Sequence, residues 1–167
     1  LPAQAASHAL IMWIGNYSRP SANLPGIHVD GENARKIAVS MGVPEQNIVV
    51  QSNEQLTTEG IGAAIQALSN RIQQGDKVFI YYSGHGSQIQ GAGGSKCTEG
   101  MVAHDLDLYR DSSIEADLDR LTGKASQLIF MNDSCFSGGQ ATKGTRSQDK
   151  LLGALGAVPK VYLGQLK

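Results

Sequence analysis

Short apolar runs alternate along the chain with longer segments whose apolar residues recur at helical spacing. The runs at 9–14, 77–82 and 128–131 end in polar or glycine-rich residues, a pattern that predicts buried strands. Weaker runs at 47–50, 100–103 and 158–163 predict shorter strands. Helices are predicted at 29–41, from Thr57 or Thr58 to Ile72, and from a capping box at 112–115 to Leu121. This order predicts an α/β fold, a mostly parallel sheet with helices on both faces.

Each predicted helix carries apolar residues that are expected to face the sheet. They are Val29, Ala34, Ile37, Ala38 and Met41 in the first helix, Ile61, Ile65, Leu68 and Ile72 in the second, and Ile114, Leu118 and Leu121 in the third. A glycine follows each set, at Gly42, Gly75 and Gly123, and predicts where the helix ends.

The composition predicts one globular domain over residues 1–167. Hydrophobic residues make up 41% of the chain, and the formal net charge is −1. No basic patch argues for nucleic acid and no apolar run approaches the length of a membrane span, so we expect neither partner. Within the domain, residues 1–7 are expected to form a flexible tail and residues 140–157 a mobile loop.

Two of the predicted strands lead into side chains that can perform nucleophilic chemistry. The run at 77–82 leads into Ser-Gly-His-Gly-Ser, which contains His85, and the run at 128–131 leads into Asn-Asp-Ser-Cys-Phe-Ser-Gly-Gly, which contains Cys135. Strands of one parallel sheet would bring both side chains to the same edge. Because a free thiol is only slightly ionised at neutral pH, it needs the base or the cation that a histidine supplies.

These motifs resemble those of the caspase-like cysteine peptidases, and in particular the bacterial metacaspases, or orthocaspases. Tyr-Ser-Gly-His-Gly after one strand and Asp-Ser-Cys-Phe-Ser-Gly-Gly after a later strand carry the resemblance, which extends roughly from Leu10 to Gly139. The resemblance implies a caspase-like three-layer sandwich and identifies the chain with the family's large catalytic subunit. The strands of the small subunit are then expected to be missing from this chain.

The resemblance also implies the activity of a thiol protease, a hydrolase that uses a Cys–His dyad. Cys135 would be the nucleophile and His85 the base and acid that transfers protons. The backbone N–H groups of Gly86 and Cys135 would stabilise the oxyanion. Taken singly, the two side chains have other interpretations, a buried inert thiol and a histidine satisfied within a turn.

The residues that match the family's specificity pocket predict cleavage after Arg or Lys. Caspases that cleave after Asp carry an Arg where this chain has Leu24 and a Gln where it has Asp133. In metacaspases, the residues that match Asp30, Ser83 and Asp133 line the pocket. Two carboxylates would attract a basic side chain and repel Asp or Glu. The alternatives are a helix N-terminal acid at Asp30 and a turn-forming side chain at Asp133.

We expect no cofactor and no bound metal. Many metacaspases are activated by calcium, and the offsets from His85 make Glu99 and Asp117 the nearest candidate ligands. Ala116 and Thr142 stand where further acids would be expected. The set therefore lacks the oxygen ligands that calcium requires.

Two other functions would use the same residues. A catalytically silent binding or regulatory domain would keep the fold without hydrolysis. An active-site thiol label would discriminate such a domain from an active peptidase. A zinc protein would use His85, Cys97, His104 and Cys135, although their spacings match no tight ligand pair. A disulfide between Cys97 and Cys135 is not expected, because it would consume the nucleophile.

The resemblance implies two partners, a peptide or protein substrate with Arg or Lys before the scissile bond and the small-subunit chain of the same precursor. The lysine at the end of the chain, Lys167, suggests autoprocessing after that residue; a boundary unrelated to processing is the alternative. Residues 1–6 resemble the end of a secretory signal, which predicts a periplasmic or secreted protein. The alternative is the flexible tail of a cytoplasmic protein.

Overall fold

A computed structural model describes residues 4–89, 98–136 and 160–165 of the chain. Within these residues, seven strands form one sheet, and α-helices pack on both of its faces. The strands are β1 (Ser7–Trp13), β2 (Ile48–Ser52), β3 (Lys77–Ile89), β4 (Thr98–Val102), β5 (Leu108–Arg110), β6 (Gln127–Phe136) and β7 (Lys160–Gln165). The helices are α1 (Ile27–Ser40), α2 (Thr58–Arg71) and α3 (Asp111–Thr122).

Strand β3 lies at the centre of the sheet. Its first part pairs in parallel with β1 on one side and with β6 on the other. Strand β2 adds in parallel to β1, and β7 adds antiparallel to β6. Beyond the end of β1, β4 pairs antiparallel with the last residues of β3, and β5 pairs with β4. The carboxyl ends of β1, β3 and β6 therefore meet at one edge of the sheet.

The larger core lies between the sheet and helices α2 and α3. Strand residues such as Leu10, Ile80 and Phe130 meet the apolar residues of both helices there. The inward residues predicted for these helices are all buried, which confirms the prediction; they are Ile61, Ile65, Leu68, Ile72, Ile114, Leu118 and Leu121.

Helix α1 covers the opposite face and packs through small residues. Ala34 and Ala38 are buried there as predicted, but the prediction was wrong for three larger residues: Val29 is 49% exposed, Ile37 38% and Met41 41%. The physical reason is close approach to the sheet. Gly31 is also buried, and an ideal Cβ at Gly31 would lie only 2.4 Å from Cδ1 of Trp13. The helix therefore turns its small residues inward and leaves larger ones at the margin.

The architecture confirms the predicted fold class. A mostly parallel sheet carries α1 on one face and α2 with α3 on the other, which makes three layers. These are the three layers that the resemblance implied. No helix in the described ranges combines the length and apolar character needed to cross a membrane.

Strands β3 and β6 extend further than the apolar pattern predicted. The segment 83–87 follows the strand predicted at 77–82 but belongs to β3, and the polar segment 132–136 belongs to β6. Strand β6 pairs with β3 up to Gly86, where β4 begins to pair on the other side. The neighbouring strands thus supply backbone hydrogen bonds to a segment whose own glycines disfavour a strand.

Two helix starts were predicted from capping residues, with different outcomes. Thr57 caps α2 as predicted, and its Oγ1 accepts the N–H of Gly60 over 3.0 Å. The capping box at 112–115 is wrong, because α3 already begins at Asp111 with Arg110 as an N-cap that makes no side-chain hydrogen bond. Arg110 pairs with Gly100 in the sheet, so the helix follows β5 without a loop.

The N-terminal segment is tied to the amino end of β3 from Ala6 onward. The N–H of Ala6 donates to Oδ1 of Asp76 over 2.9 Å, and Ser7 already belongs to β1. Nε2 of the buried His8 lies 3.1 Å from Oδ2 of Asp76. Residues 1–3 of the predicted flexible tail lie outside the described residues, as does the predicted mobile loop at 140–157.

Candidate active site

The register of β3 and β6 aligns the residues that the sequence singled out. Their Cα atoms pair across the two parallel strands as Ser83 with Asp133 and His85 with Cys135. Gly86, the next residue of β3, pairs with Phe136 of β6 and with Met101 of β4. The thiol and the imidazole therefore start from adjacent backbone positions at the carboxyl ends of the strands.

The loop between β1 and α1 holds His85 on two sides. The backbone N–H of His85 donates to Oη of Tyr17 over 2.8 Å, and Nε2 of its ring lies 2.6 Å from the carbonyl oxygen of Ala22. The ring centroids of Tyr17 and His85 are 4.9 Å apart with an interplanar angle of 40°. Because a carbonyl oxygen only accepts, Nε2 must carry the proton, which makes Nδ1 the basic nitrogen of a neutral ring.

This loop is itself shaped by local hydrogen bonds. Pro20 begins a short 3-10 turn, and the side-chain oxygen of Asn23 accepts the N–H of Tyr17 over 2.7 Å. The N–H of Leu24 donates to the carbonyl of Gly15 over 2.8 Å. The sequence pattern gave no indication of the contacts of Tyr17 and Ala22 with His85. The contact of Ala22 is made by its backbone, which leaves no signal in the residue type.

Tyr82 contacts the backbone of the same histidine. Its fully buried hydroxyl lies 2.9 Å from the carbonyl oxygen of His85 and 3.1 Å from that of Val102. Burial raises the pKa of Tyr82 well above its ordinary value, so the hydroxyl stays a neutral donor. Gly84 leaves the necessary room, since an ideal Cβ there would lie 2.6 Å from Oη of Tyr82 and 2.9 Å from that of Tyr17.

An acidic cluster lies on the α1 face beside this pair of strands, and we define it as Asp30, Ser83, Asp133 and Tyr81. Oγ of Ser83 donates to Oδ2 of Asp30 over 3.0 Å, and Oη of Tyr81 donates to Oδ2 of Asp133 over 3.0 Å. Asp30 lies in the first turn of α1, where the helix dipole favours a carboxylate. The structure thus brings together the three residues predicted for the pocket.

The acidic cluster affects the ionisation of its own members. Burial raises the pKa of the Asp133 carboxyl, the hydrogen bond from Tyr81 opposes this, and the negative charge of Asp30 raises the pKa further. The net result is a pKa above the ordinary value of an aspartate. Sequence reasoning missed Tyr81, because an aromatic residue in an apolar run predicts only a strand core position.

A cleft of about 420 Å³ opens beside the carboxyl end of β1. It is lined by Trp13, Gly15, Asn16, the segment 24–28 at the start of α1, and Asn53. Oδ1 of Asn53 accepts the N–H groups of Gly15 and Asn16 over 3.0 and 2.9 Å. Leu24, the residue at the position of the Asp-binding Arg of caspases, lies in this lining.

Asp117, one of the two candidate calcium ligands, is already engaged by other side chains. In the part of the chain that the structure describes, no three His, Cys, Asp or Glu side chains come together in a way that could hold an ion. The carboxylate of Asp117 already accepts a hydrogen bond from Tyr109, and Arg120 Nη2 lies 2.9 Å from it. A guanidinium therefore occupies a position at which calcium would need this carboxylate.

The zinc interpretation depends on two histidines whose rings contact different backbone carbonyls and on residues that the structure does not describe. Nδ1 of His104 lies 2.8 Å from the carbonyl oxygen of Asn16, whereas Nε2 of His85 is directed to Ala22. Cys97 lies outside the described residues, and so does Thr142 of the calcium set.

Comparison with known proteins gives a consistent family assignment. A family model described as "Caspase domain" matches residues 6–156. The chain is 31% identical over 144 residues to Metacaspase-7 of Arabidopsis thaliana, covering 80% of this chain and 35% of that protein. It is 30% identical over 147 residues to Metacaspase-6 of the same plant, covering 80% of this chain and 39% of that protein.

More distant similarities agree. Metacaspase-1 of Mycosarcoma maydis is 27% identical over 147 residues, covering 81% of this chain and 36% of that protein. The crystal structure of a protein from Geobacter sulfurreducens superposes with a TM-score of 0.64 at 22% identity, covering 80% of this chain and 52% of that one, which supports the fold alone. The chain spans about a third of the length of the curated relatives that it matches.

Proposed function

Because this chain belongs to the caspase domain family, we propose that it is the catalytic part of a cysteine endopeptidase that cleaves after Arg or Lys. The observation that carries the proposal is the alignment of the Cα atoms of His85 and Cys135 on neighbouring parallel strands. Such strands lie about 4.8 Å apart. The two side chains can therefore meet over a peptide bond at the carboxyl edge of the sheet, as nucleophile and base require.

In the proposed reaction, Nδ1 of His85 takes the proton of the Cys135 thiol. The thiolate sulfur attacks the carbonyl carbon of the scissile bond, and the carbonyl oxygen takes up the negative charge. His85 then donates its proton to the leaving amine as the carbon–nitrogen bond breaks, which leaves a thioester on Cys135. A water molecule, deprotonated by His85, hydrolyses the thioester, and the sulfur recovers its proton.

Two backbone N–H groups are proposed to bind the oxyanion, those of Gly86 and Cys135. Removing one donor of this kind costs about 3 kcal/mol of transition-state stabilisation. The hydrogen bond from Nε2 of His85 to Ala22 supports the mechanism, because it favours the tautomer with a basic Nδ1.

The acidic cluster is proposed to bind the substrate side chain before the scissile bond. Asp30 and Asp133 offer two carboxylates, and Ser83 pairs with Asp133 in the register of β3 and β6 and donates its hydroxyl to Asp30. One cation neutralises the mutual repulsion of two carboxylates, whereas an Asp or Glu side chain adds to it. This charge pattern supports a preference for Arg or Lys.

Fluorogenic peptides that differ only in the residue before the scissile bond test the proposal. We expect hydrolysis of Arg and Lys peptides, none of Asp peptides, and no turnover by Cys135→Ala. Cys97→Ala is the matched control, since it removes the other cysteine of the chain and should keep the activity. Turnover of Asp peptides alone would contradict the specificity. A folded wild type that stays inactive together with its small-subunit chain would indicate a silent regulatory domain.

We also propose that activity does not require calcium. The support is the carboxylate of Asp117, which Arg120 and Tyr109 already engage. Hydrolysis of the Arg peptide should be the same within about twofold in excess calcium and in a calcium chelator. A loss of more than tenfold in the chelator would contradict the proposal.

Autoprocessing and the association with a small-subunit chain of the same precursor remain proposals. If the protein processes itself, mass spectrometry of a precursor carrying Cys135→Ala should show an uncut chain, while the wild type is cut after a basic residue. Cutting of both proteins at the same bond would contradict self-processing.

A further inference from the structure

Tyr81 reaches the acidic cluster from inside the fold. Its side chain is 4% exposed and packs in the core between the sheet and α1. Its hydroxyl nevertheless donates to Oδ2 of Asp133 over 3.0 Å. A ring held by packing has little freedom to move away, so this hydrogen bond fixes one oxygen of the carboxylate.

The two carboxylates of the acidic cluster are held in the same way. Ser83 donates to Oδ2 of Asp30, as Tyr81 does to Oδ2 of Asp133. Tyr81 and Ser83 are two residues apart on β3, so they lie on one face of the strand. Each hydroxyl uses one oxygen of its carboxylate, and Oδ1 of each can accept from a guanidinium or an ammonium group.

The hydrogen bond from Tyr81 also opposes the neutralisation of Asp133. Burial and the charge of Asp30 raise the pKa of Asp133, whereas the Tyr81 hydroxyl lowers it. Burial and the two carboxylates raise the pKa of Tyr81 itself, so its hydroxyl remains a donor across the working pH range. Among the described residues, the groups acting on the Asp133 carboxyl are Tyr81 of β3 and Asp30 of α1.

We propose that Tyr81 is a positioning residue for specificity, whose hydroxyl fixes the Asp133 carboxylate to receive the basic side chain of the substrate. The inference rests on the proposed function of the acidic cluster as the substrate pocket. Tyr81 acts through Asp133 and does not touch the reacting atoms. Its loss should therefore change substrate binding and its pH dependence, and leave the chemistry at Cys135 in place.

The test is Tyr81→Phe, which keeps the ring and removes only the hydroxyl. Because a hydrogen bond to a charged group is lost, KM for the Arg peptide should rise about tenfold, with kcat unchanged within about twofold. The acidic limb of kcat/KM should move to higher pH by about half a unit or more, since the pKa of Asp133 rises without its donor. Alkylation of Cys135 by iodoacetamide should keep its rate and its pH profile.

Tyr109→Phe is the matched control. Tyr109 also donates to a partly buried aspartate, Asp117, but on β5 and α3. Tyr109→Phe also removes a tyrosine hydroxyl that donates to an aspartate, so any loss of stability that follows from such a change in general should appear in both variants. The control should keep the wild-type KM and pH profile for the Arg peptide.

The outcomes separate the inference from the function on which it rests. An active wild type with an unchanged KM and pH profile in Tyr81→Phe would overturn the role of Tyr81 alone. A lower kcat, a higher KM and slower alkylation of Cys135, all in Tyr81→Phe, would also overturn it, because together they would indicate a general structural role. A wild type that cleaves neither Arg nor Lys peptides would overturn the proposed function and the inference together.

Discussion

At the scale of single residues, the ionisation of the acidic cluster conflicts with the stability of the fold. Asp133 is half-buried, and both burial and the charge of Asp30 raise its pKa. A carboxyl group whose pKa is higher in the folded than in the unfolded state costs stability when it is ionised, so its negative charge weakens the folded state at neutral pH. The proposed pocket would keep that charge because a basic substrate needs it.

Replacing Asp133 by Asn should therefore separate stability from function. We expect Asp133→Asn to raise the free energy of unfolding at pH 7 by about a few tenths of a kcal/mol, a small effect because the site is partly solvated. Hydrolysis of the Arg peptide should fall more than tenfold. Urea unfolding and peptide assays measure the two effects. As a control, Asp119→Asn at an exposed position should change neither the stability nor the hydrolysis. An Asp133→Asn protein that is less stable than the wild type would contradict this prediction.

Tyr17 offers a second test at this scale. Its hydroxyl accepts the backbone N–H of His85, and both residues are buried. Tyr17→Phe leaves that N–H without its acceptor, so the free energy of unfolding should fall by about 1–3 kcal/mol. Thermal unfolding measures the loss. Tyr17→Leu, which also removes the ring contact with His85, should be less stable still, and an unchanged melting temperature in Tyr17→Phe would show that the hydrogen bond contributes little.

At the scale of elements, the close approach of α1 to the sheet forms the acidic cluster. Gly31, Ala34 and Ala38 are small enough to let the helix lie against β1 and β3. Asp30 precedes Gly31 in the first turn and in this way reaches Ser83. Larger inward residues would hold the helix further from the sheet and would separate the two carboxylates from their hydroxyl donors.

Two glycines at helix positions provide a matched comparison. An ideal Cβ at Gly31 would lie 2.4 Å from Cδ1 of Trp13. One at Gly62 of α2 would lie 3.6 Å from Oη and 3.8 Å from Cε2 of Tyr109, which are ordinary contacts. Gly31→Ala should lower the free energy of unfolding by about 1–3 kcal/mol through overpacking. Gly62→Ala should raise it by about 0.5–1 kcal/mol, because alanine favours a helix.

Chemical denaturation of both variants measures this difference. Gly31→Ala should also raise KM for the Arg peptide, because a displaced α1 moves Asp30 away from Ser83. Equal stabilisation of the two variants would show that α1 is not held by close packing against Trp13.

At the scale of the whole molecule, one buried aspartate ties the start of the chain to the amino end of the central strand. Asp76 accepts the N–H groups of Ala6 and Gln73 over 2.9 Å each and pairs with His8. Burial raises the pKa of Asp76, but the two backbone hydrogen bonds and His8 outweigh it, so the pKa lies below its ordinary value. This group joins β1 and β3 at the edge of the sheet opposite the candidate active site.

The lowered pKa of Asp76 predicts a pH dependence of stability. The stabilisation is fully present above the unfolded-state pKa of about 3.9 and is lost as the pH falls through the lower folded-state pKa. At pH 7, Asp76→Asn should therefore be less stable than the wild type by about 1–3 kcal/mol. This difference in the free energy of unfolding between wild type and Asp76→Asn should become smaller as the pH falls below about 4.

Urea unfolding of wild type and Asp76→Asn between pH 3 and pH 7 measures this gap. Asp119→Asn, on the exposed side of α3, should show no gap at any pH. A constant difference between wild type and Asp76→Asn over the whole range would contradict the assignment of the charge of Asp76 as the stabilising feature.

Local sequence patterns were sufficient to predict the α/β class and the inward faces of α2 and α3, and they contain the motifs around His85 and Cys135. These features depend on local order: apolar residues at strand or helix spacing must be buried, and glycines and capping residues end the elements. The resemblance to the caspase-like peptidases implied the residues of the predicted pocket, Asp30, Ser83 and Asp133.

The partner of each of these groups depends on the three-dimensional fold. The extension of β3 through His85 depends on strands β4 and β6, which supply hydrogen bonds that a glycine-containing segment cannot supply for itself. The face of α1 depends on how closely Gly31 approaches Trp13. The contacts of Tyr17, Ala22 and Tyr81 join positions far apart along the chain, so no local pattern predicts them, and one of them is made by a backbone carbonyl that any residue type would provide.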